Sequence, residues 1–320
     1  MRIAVDCRYT RTDHHDGISR YTARITEALI PRAAEAGHEV VLIINDDAQL
    51  TMLPDAPSHR VSGPTSPREL LVARQMNAVN ADVVFSPMQT MGSWGREFGL
   101  VLTLHDLIYY SNRTPPRNLP APVRLLWRLY HLAWWPQRLL LNRADEVVTV
   151  SATTRALMQQ KKLTSRRITV VKNAPDPTAV SAGRSAPDSR ELVYMGSYMP
   201  YKNVETLARA LHRLPGYRLH LMSRIRPADR RRLETFAPPE SLVFHDGATD
   251  AEYQEVLLRA AALVHASRDE GFGIPLVEAM ALGTPVVVSD IPIFREIGGD
   301  AALYFDPDDP DAVARQVLSL

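Results

Sequence analysis

The sequence predicts an α/β protein built from two doubly wound, Rossmann-like domains with a cleft between them. Short β-type runs alternate with helical patterns along almost the whole chain, the rhythm of βαβ units and parallel sheets. The length of 320 residues is about twice the ~150 usual for one domain. Near the middle, Pro175, Asp176 and Pro177 followed by Ser181-Ala182-Gly183-Arg184-Ser185-Ala186-Pro187 break the rhythm with a polar linker. The domains then run 1–174 and 191–320, joined by 175–190.

The elements follow in order. Strand Ile3–Asp6 leads into an amphipathic stretch from Ile18 to about Ala36, and strands are expected at Glu39–Ile44, Val83–Phe85, Leu100–Leu104, Glu146–Val150 and Ile168–Val171. A second set runs Leu192–Met195, Arg218–Met222, Leu242–Phe244, Leu263–His265, Pro285–Ser289 and Ala302–Phe305. Helical patterns separate these strands near 203–213, 227–236, 250–260 and 275–282. Asp308-Asp309-Pro310 reads as the start of a last helix reaching Leu320. In such folds ligands bind beyond the carboxyl ends of the strands, in the crevice between domains.

Composition narrows the function. The chain is 45% apolar and 23% charged, as expected of a well-packed globular protein, and its net charge is +1, too weak a field for a nucleic-acid polymer as partner. A single cysteine, Cys7, excludes a disulfide framework and a thiolate metal cluster. Met1–Asp6 is shorter than the ~7–15 residue apolar core of a signal peptide. No run approaches the ~18 apolar residues of a membrane span. The expectation is a cytoplasmic protein, with the inner face of a membrane as a second possible address. Residues 122–143 bear on that address, because they hold Trp127, Trp134 and Trp135 interleaved with Arg124, Arg128, Arg138 and Arg143. Such a face suits peripheral membrane contact. It equally suits an amphipathic helix packed on the N-terminal sheet with its arginine stems lying along apolar surface. Pro136 breaks the stripe, and the pattern favours the packed helix.

The strongest local signal spans 267–290. Glu270-Gly271-Phe272-Gly273 forms a glycine-bracketed turn after a strand, Pro275 fits the start of a helix, and Gly283 suits its left-handed end. Small residues let the backbone approach a ligand, and the N–H groups of a helix start favour an anion such as a diphosphate. Glu270 and Glu278 bracket seven residues, and carboxylates accept hydroxyl pairs of the kind a sugar or ribose presents. Taken singly, each of these residues reads as structural: Glu278 is favoured near a helix start by the dipole alone.

This block resembles the E-x7-E signature of the retaining glycosyltransferases of family 4, which have the GT-B fold of two facing Rossmann-like domains. The resemblance extends through Gly17-Ile18-Ser19-Arg20-Tyr21, His105-Asp106, Val150-Ser151, Asn173, Gly196 and Lys202-Asn203. It implies that Glu270 holds donor-sugar hydroxyls and Glu278 the nucleotide ribose. It implies further that the N–H groups of Gly271, Phe272 and Gly273 hold sugar hydroxyls, and those of Leu276 and Val277 the distal phosphate. Lys202 matches the lysine that neutralises the departing diphosphate, although taken alone it reads as a solvated surface lysine. A cation plus a helix start does this without a metal, so no metal or other cofactor is expected. Gly17 opens a loop that faces the reaction centre, with Ser19 as a helix cap, and His105 lies near the transferred sugar. Asp106 either orients His105 or caps the next segment.

One position departs from the pattern: relatives carry Arg after the strand glycine, whereas Ser197 follows Gly196. Lys202 then holds the phosphates alone, or Arg20 or Arg224 takes the second cationic role. The resemblance implies a hexosyltransferase moving mannose or glucose from a nucleotide-diphosphate sugar to a saccharide or lipid-linked saccharide, in polysaccharide biosynthesis. It also implies a front-face mechanism in which Glu270 positions the donor rather than acting as covalent nucleophile. The alternatives are a catalytically weak homologue serving as a binding or assembly subunit, and a GT-B sugar-nucleotide epimerase or phosphorylase. Relatives usually continue through several more helices, so the C-terminal helices read as short or truncated.

Overall fold

In a computed structural model the described residues are 1–13, 15, 17–115, 121–175 and 189–320. They divide into two compact units, Met1–Lys172 and Asn173–Leu320. Most of the expected linker, 176–188, lies outside the described residues.

In the first unit, β1 (Arg2–Asp6), α1 (Gly17–Glu35), β2 (Glu39–Ile44), β3 (Ser58–Arg60), α2 (Val72–Met76), β4 (Val83–Ser86) and β5 (Gly99–Leu104) follow in order. They continue through α3 (Ile108–Ser111), α4 (Ala121–Tyr130), α5 (Trp135–Leu141), β6 (Glu146–Thr149), α6 (Ala152–Gln160) and β7 (Arg167–Val170). The strands form a seven-stranded sheet in the order β3-β2-β1-β4-β5-β6-β7. All of its pairs are parallel; Val5, for example, sits between Leu42 and Phe85. Alternation feeds two cores, since side chains two apart share a face. Ala4, Ile43, Val84, Leu100 and Leu102 pack on one face, and Val5, Leu42 and Ile44 pack with Ala33 and Leu29 of α1 on the other. Cys7 belongs to the second cluster, where burial pushes its thiol pKa up and leaves it unreactive.

The second unit repeats the plan with β8 (Glu191–Tyr194), α7 (Val204–Ala210), β9 (Arg218–Leu221), α8 (Pro227–Glu234), β10 (Leu242–Phe244), α9 (Asp250–Arg259) and β11 (Ala262–His265). It ends with α10 (Ile274–Ala281), β12 (Val286–Ser289), α11 (Pro292–Gly298), β13 (Ala302–Phe305) and α12 (Pro310–Leu318). The sheet order is β10-β9-β8-β11-β12-β13, again parallel throughout. Buried clusters cover both of its faces.

Three local expectations change. Ser19 is not a cap: it is the third residue of α1, and its hydroxyl ties down the preceding loop through Arg11 N at 3.2 Å and His15 Nδ1 at 2.8 Å. Residues 122–143 form two helices, and Pro136 lies in the first turn of α5 rather than breaking a single helix. The packed-helix reading holds for α5, whose Leu141 lies in the core with Trp134 against it, but not for α4, which has no buried residue. Among the described residues, no helix is long and apolar enough to cross a membrane.

Candidate active site

A doubly wound sheet opens a crevice where its strand order reverses. In the second unit that point lies between β8 and β11, the strands that carry the best sequence candidates. Beyond β8, the loop from Met195 to Lys202 is held by polar contacts. Gly196 N–H donates to Ser223 Oγ at 3.1 Å, and Tyr194 Oη donates to the Ser197 carbonyl at 2.6 Å. Gly196 must be glycine on packing grounds, because a Cβ there would stand 2.8 Å from Tyr194 Oη and 3.5 Å from His265 Nε2.

The two loops of the crevice are stitched together. Arg268 N–H donates to the Tyr201 carbonyl at 2.8 Å. Asn203, buried and in the left-handed region with φ +53°, donates from Nδ2 to the Ala266 carbonyl at 3.2 Å and the Pro307 carbonyl at 2.7 Å. Its Oδ1 accepts from Thr206 Oγ1 at 3.0 Å. Lys202 then reaches across, Nζ to Glu270 Oε1 at 2.5 Å, with the two side chains only 14% and 9% exposed.

Glu270 is also held from its own loop. Ser267 Oγ donates to Oε1 at 2.8 Å and stands 3.0 Å from His265 Nδ1. Among the described residues these contacts all fall on Oε1. Burial pushes the Glu270 carboxyl toward the neutral form, but the Lys202 ammonium and the bonds from Lys202 and Ser267 outweigh it and hold the pKa below the usual value. His265 goes the other way: burial pulls it to about 4 against the attraction of Glu270. At neutral pH the imidazole is uncharged, so its 3.9 Å approach to Glu270 is not an ion pair.

The turn after Glu270 follows its sequence. Gly273 ends it at φ +97°, where a Cβ would stand 3.0 Å from Phe294 Cε1, and α10 begins at Ile274 with Pro275 second. The Leu276 N–H is bonded to the Gly273 carbonyl at 3.0 Å. Gly271, Phe272 and Glu278 are buried, and Val277 is half-buried. Gly283 closes the helix at φ +73°.

The first unit carries its own constellation at the carboxyl ends of its strands. His105 follows β5, and its Nε2 donates to the Pro87 carbonyl at 2.8 Å, leaving the lone pair on Nδ1. Tyr21 meets its ring edge-on at 4.8 Å. Asp106 Oδ1 accepts from Ile108 N–H at 3.0 Å, the capping option. His105 borders a cavity of about 250 Å³ that is also lined by Ile18, Tyr109, Tyr110, His131 and Gln137. Gly17 opens α1, and among the described residues outside its own turn no atom lies within 4 Å of where its Cβ would be.

Sequence reasoning missed His265 and Ser267. A histidine closing the fully buried strand Ala262–His265 was the available signal, since a buried imidazole needs a polar partner. Both His105 and His265 are pulled to about 4 by burial, and this gives a pH prediction. The unfolded chain takes up a proton at each ring near the ordinary value of 6.5, the folded chain only near 4. Stability is therefore lost as pH falls through that window, by roughly 2 kcal/mol per ring at about pH 5. Calorimetry should show the unfolding temperature falling from about pH 7 to about pH 5, and His105→Gln should flatten that dependence in the first unit.

Two tandem doubly wound parallel sheets, with charged side chains gathered at the switch point of the second, define the GT-B class of glycosyltransferase folds. The chain belongs to Glycosyltransferase Family 4, whose model matches residues 15–179; the model described as Glycosyl transferases group 1 matches residues 178–320. The chain is 51% identical to the O-antigen chain mannosyltransferase RfbU of Salmonella typhimurium, over 18% of this chain and 20% of that protein. It is 32% identical to the O-antigen chain mannosyltransferase B of Escherichia coli, over 39% and 35%. It is 28% identical to the GDP-mannose:cellobiosyl-diphosphopolyprenol alpha-mannosyltransferase of Xanthomonas oryzae, over 48% and 43%. The chain thus spans less than half the length of each of these relatives. Its fold is similar to that of the sucrose-phosphate synthase of Thermosynechococcus elongatus, with a TM-score of 0.72 at 21% identity over 99% of this chain and 89% of that one. It is also similar to Anabaena HepE in complex with UDP and glucose, with a TM-score of 0.70 at 17% identity over 100% and 89%.

Proposed function

We propose that the chain transfers a hexose from a nucleotide-diphosphate sugar to a saccharide or lipid-linked saccharide, with retention of configuration. Mannose is the first sugar to test, since the relatives matched in sequence are named as mannosyltransferases. The observation that carries the reading is the Glu270–Lys202 pair at the switch point of the second sheet. A carboxylate held charged suits donor-sugar hydroxyls, and the lysine ammonium beside it suits a diphosphate. Donor binding would draw Lys202 from Glu270 onto phosphate, exchanging one anion for another. Glu278 holds the ribose, while the turn Gly271–Gly273 and the start of α10, with Leu276 and Val277, approach the sugar and the distal phosphate.

In the transfer, the bond from the anomeric carbon to the diphosphate oxygen breaks as that from the acceptor hydroxyl forms. The acceptor proton passes to the leaving phosphate, and a nucleoside diphosphate departs. Lys202 and the helix start meet the charge that develops, so the scheme calls on no metal or other cofactor. Arg224, exposed and next in sequence to the Ser223 that binds Gly196, would supply the cation absent at Ser197. His105 and the cavity beside it serve the acceptor side, with Gly17 opening the loop next to them. The reaction would take place in the cytoplasm.

Glu270→Gln tests the assignment, because it keeps size and one acceptor oxygen but removes the charge. Nucleoside-diphosphate release should fall at least tenfold while the unfolding profile stays cooperative, about 1.4 kcal/mol or more of lost transition-state stabilisation. Full activity in the variant would remove Glu270 from the site.

A further inference from the structure

Leu141 of α5 packs in the core of the first unit with Trp134 against it, but much of the remaining apolar surface of α4 and α5 faces outward. Trp127 of α4 and His131 just past its end mark the anchored side, Trp127 meeting Tyr109 at 5.0 Å and His131 meeting Tyr110 at 5.1 Å between ring centres. On a helix, residues four apart lie on one side; with Trp127 and His131 turned to these tyrosines, Leu125 and Leu129 must turn away. They are 58% and 54% exposed, and Leu126 beside them 67%. Leu132, Trp135 and Leu139 continue the exposed apolar series into α5. Contiguous apolar exposure of this kind marks an interaction surface.

Charge identifies the partner. The 38 residues from Leu107 to Ala144 hold six arginines and neither Asp nor Glu, in a chain whose overall balance is nearly neutral. Arg128 is exposed, next in sequence to Leu129. A second copy of the chain laid on this face about a two-fold axis would set arginine against arginine. We propose that α4 and α5 rest in the interface of an anionic phospholipid bilayer, the exposed leucines and Trp135 entering the acyl boundary and Arg128 meeting lipid phosphate. Tyr110 and His131, which anchor α4, also line the cavity beside His105, so the surface would place that cavity at the level of a membrane-borne acceptor. Bilayer binding stands on the exposed face alone and needs nothing from the donor chemistry.

The test is co-sedimentation of the full chain with phosphatidylcholine vesicles, with and without phosphatidylglycerol, at two salt concentrations. Binding should be at least tenfold tighter with phosphatidylglycerol, weaken with salt, and fall about fivefold for Arg128→Ala. The double variant Leu125→Glu, Leu129→Glu should lose at least tenfold in vesicle affinity at unchanged unfolding temperature, because both side chains are largely exposed. Should that variant fold poorly, quenching of native tryptophan fluorescence by brominated lipid, reduced in Trp135→Phe, takes its place. Absence of binding to anionic vesicles, or equal binding by the double variant, overturns the proposal. A dimer that the double variant converts to monomer, without vesicle binding in either form, overturns it in favour of a second copy.

Discussion

Lys202→Met is expected to lower turnover by about two to three orders of magnitude, the scale of losing one preorganised charge at a leaving group. Methionine keeps the length and apolar stem of the side chain but removes the ammonium. The change also strands Glu270: burial then raises its carboxyl pKa with no adjacent cation to oppose it, and the side chain stays 9% exposed. Breaking a buried pair from one side costs about 3 kcal/mol. The sign of the pH dependence follows from the lowered Glu270 pKa. Stability from the pair is present above the unfolded carboxyl value and lost as pH falls through the folded one. The gap in unfolding temperature between wild type and variant should therefore be widest near neutral pH and close under acid, when both carry a neutral Glu270. A gap of equal size at all pH values would mean that Lys202 contributes packing rather than charge.

Asn203→Ala should produce the largest loss of stability in the second unit. Three hydrogen bonds from one buried side chain disappear, leaving the Ala266 and Pro307 carbonyls and the Thr206 hydroxyl short of a partner. Alanine must also adopt φ +53°, which costs about 1 kcal/mol. Together these effects amount to roughly 3–4 kcal/mol, or about 10 °C in a unit of this size. Asn203→Gly isolates the backbone contribution, since glycine tolerates the angle, and should recover about 1 kcal/mol of the loss. Equal unfolding temperatures for wild type and the alanine variant would show that the two crevice loops are held by other contacts.

Much of this was legible in the chain, for identifiable reasons. Strands of parallel sheets read as apolar runs, and even the half-buried edge strands Leu242–Phe244 and Ala302–Phe305 keep enough apolar residues to be placed to the residue, as is Glu39–Ile44. Asp309 caps α12 as its Asp-Asp-Pro start suggested, accepting from Asp311 and Ala312 N–H. Edge strand β3 was not legible, because Ser58-His59-Arg60 has no apolar alternation to show. Nor could the pattern of 122–143 reveal which side of α4 faces inward. Amphipathicity separates two faces without ranking them, and here Tyr109 and Tyr110 recruit the Trp127–His131 face and leave the leucines to solvent. Within the site, Glu270 and Lys202 are 68 residues apart and each reads as an ordinary charge alone. Only the order β8-β11 makes them neighbours, and only the fold reveals the relay from His265 through Ser267 to Glu270.

The central claim is that the switch point of the second sheet binds a nucleotide-diphosphate sugar through Lys202 and Glu270. Calorimetric titration of the wild-type chain with GDP-mannose, and then with UDP-sugars, tests it most directly. One molecule of donor should bind per chain, with affinity at least tenfold weaker in Lys202→Met. No binding of any nucleotide sugar, or binding that Lys202→Met leaves untouched, would contradict the account and favour a binding or assembly subunit.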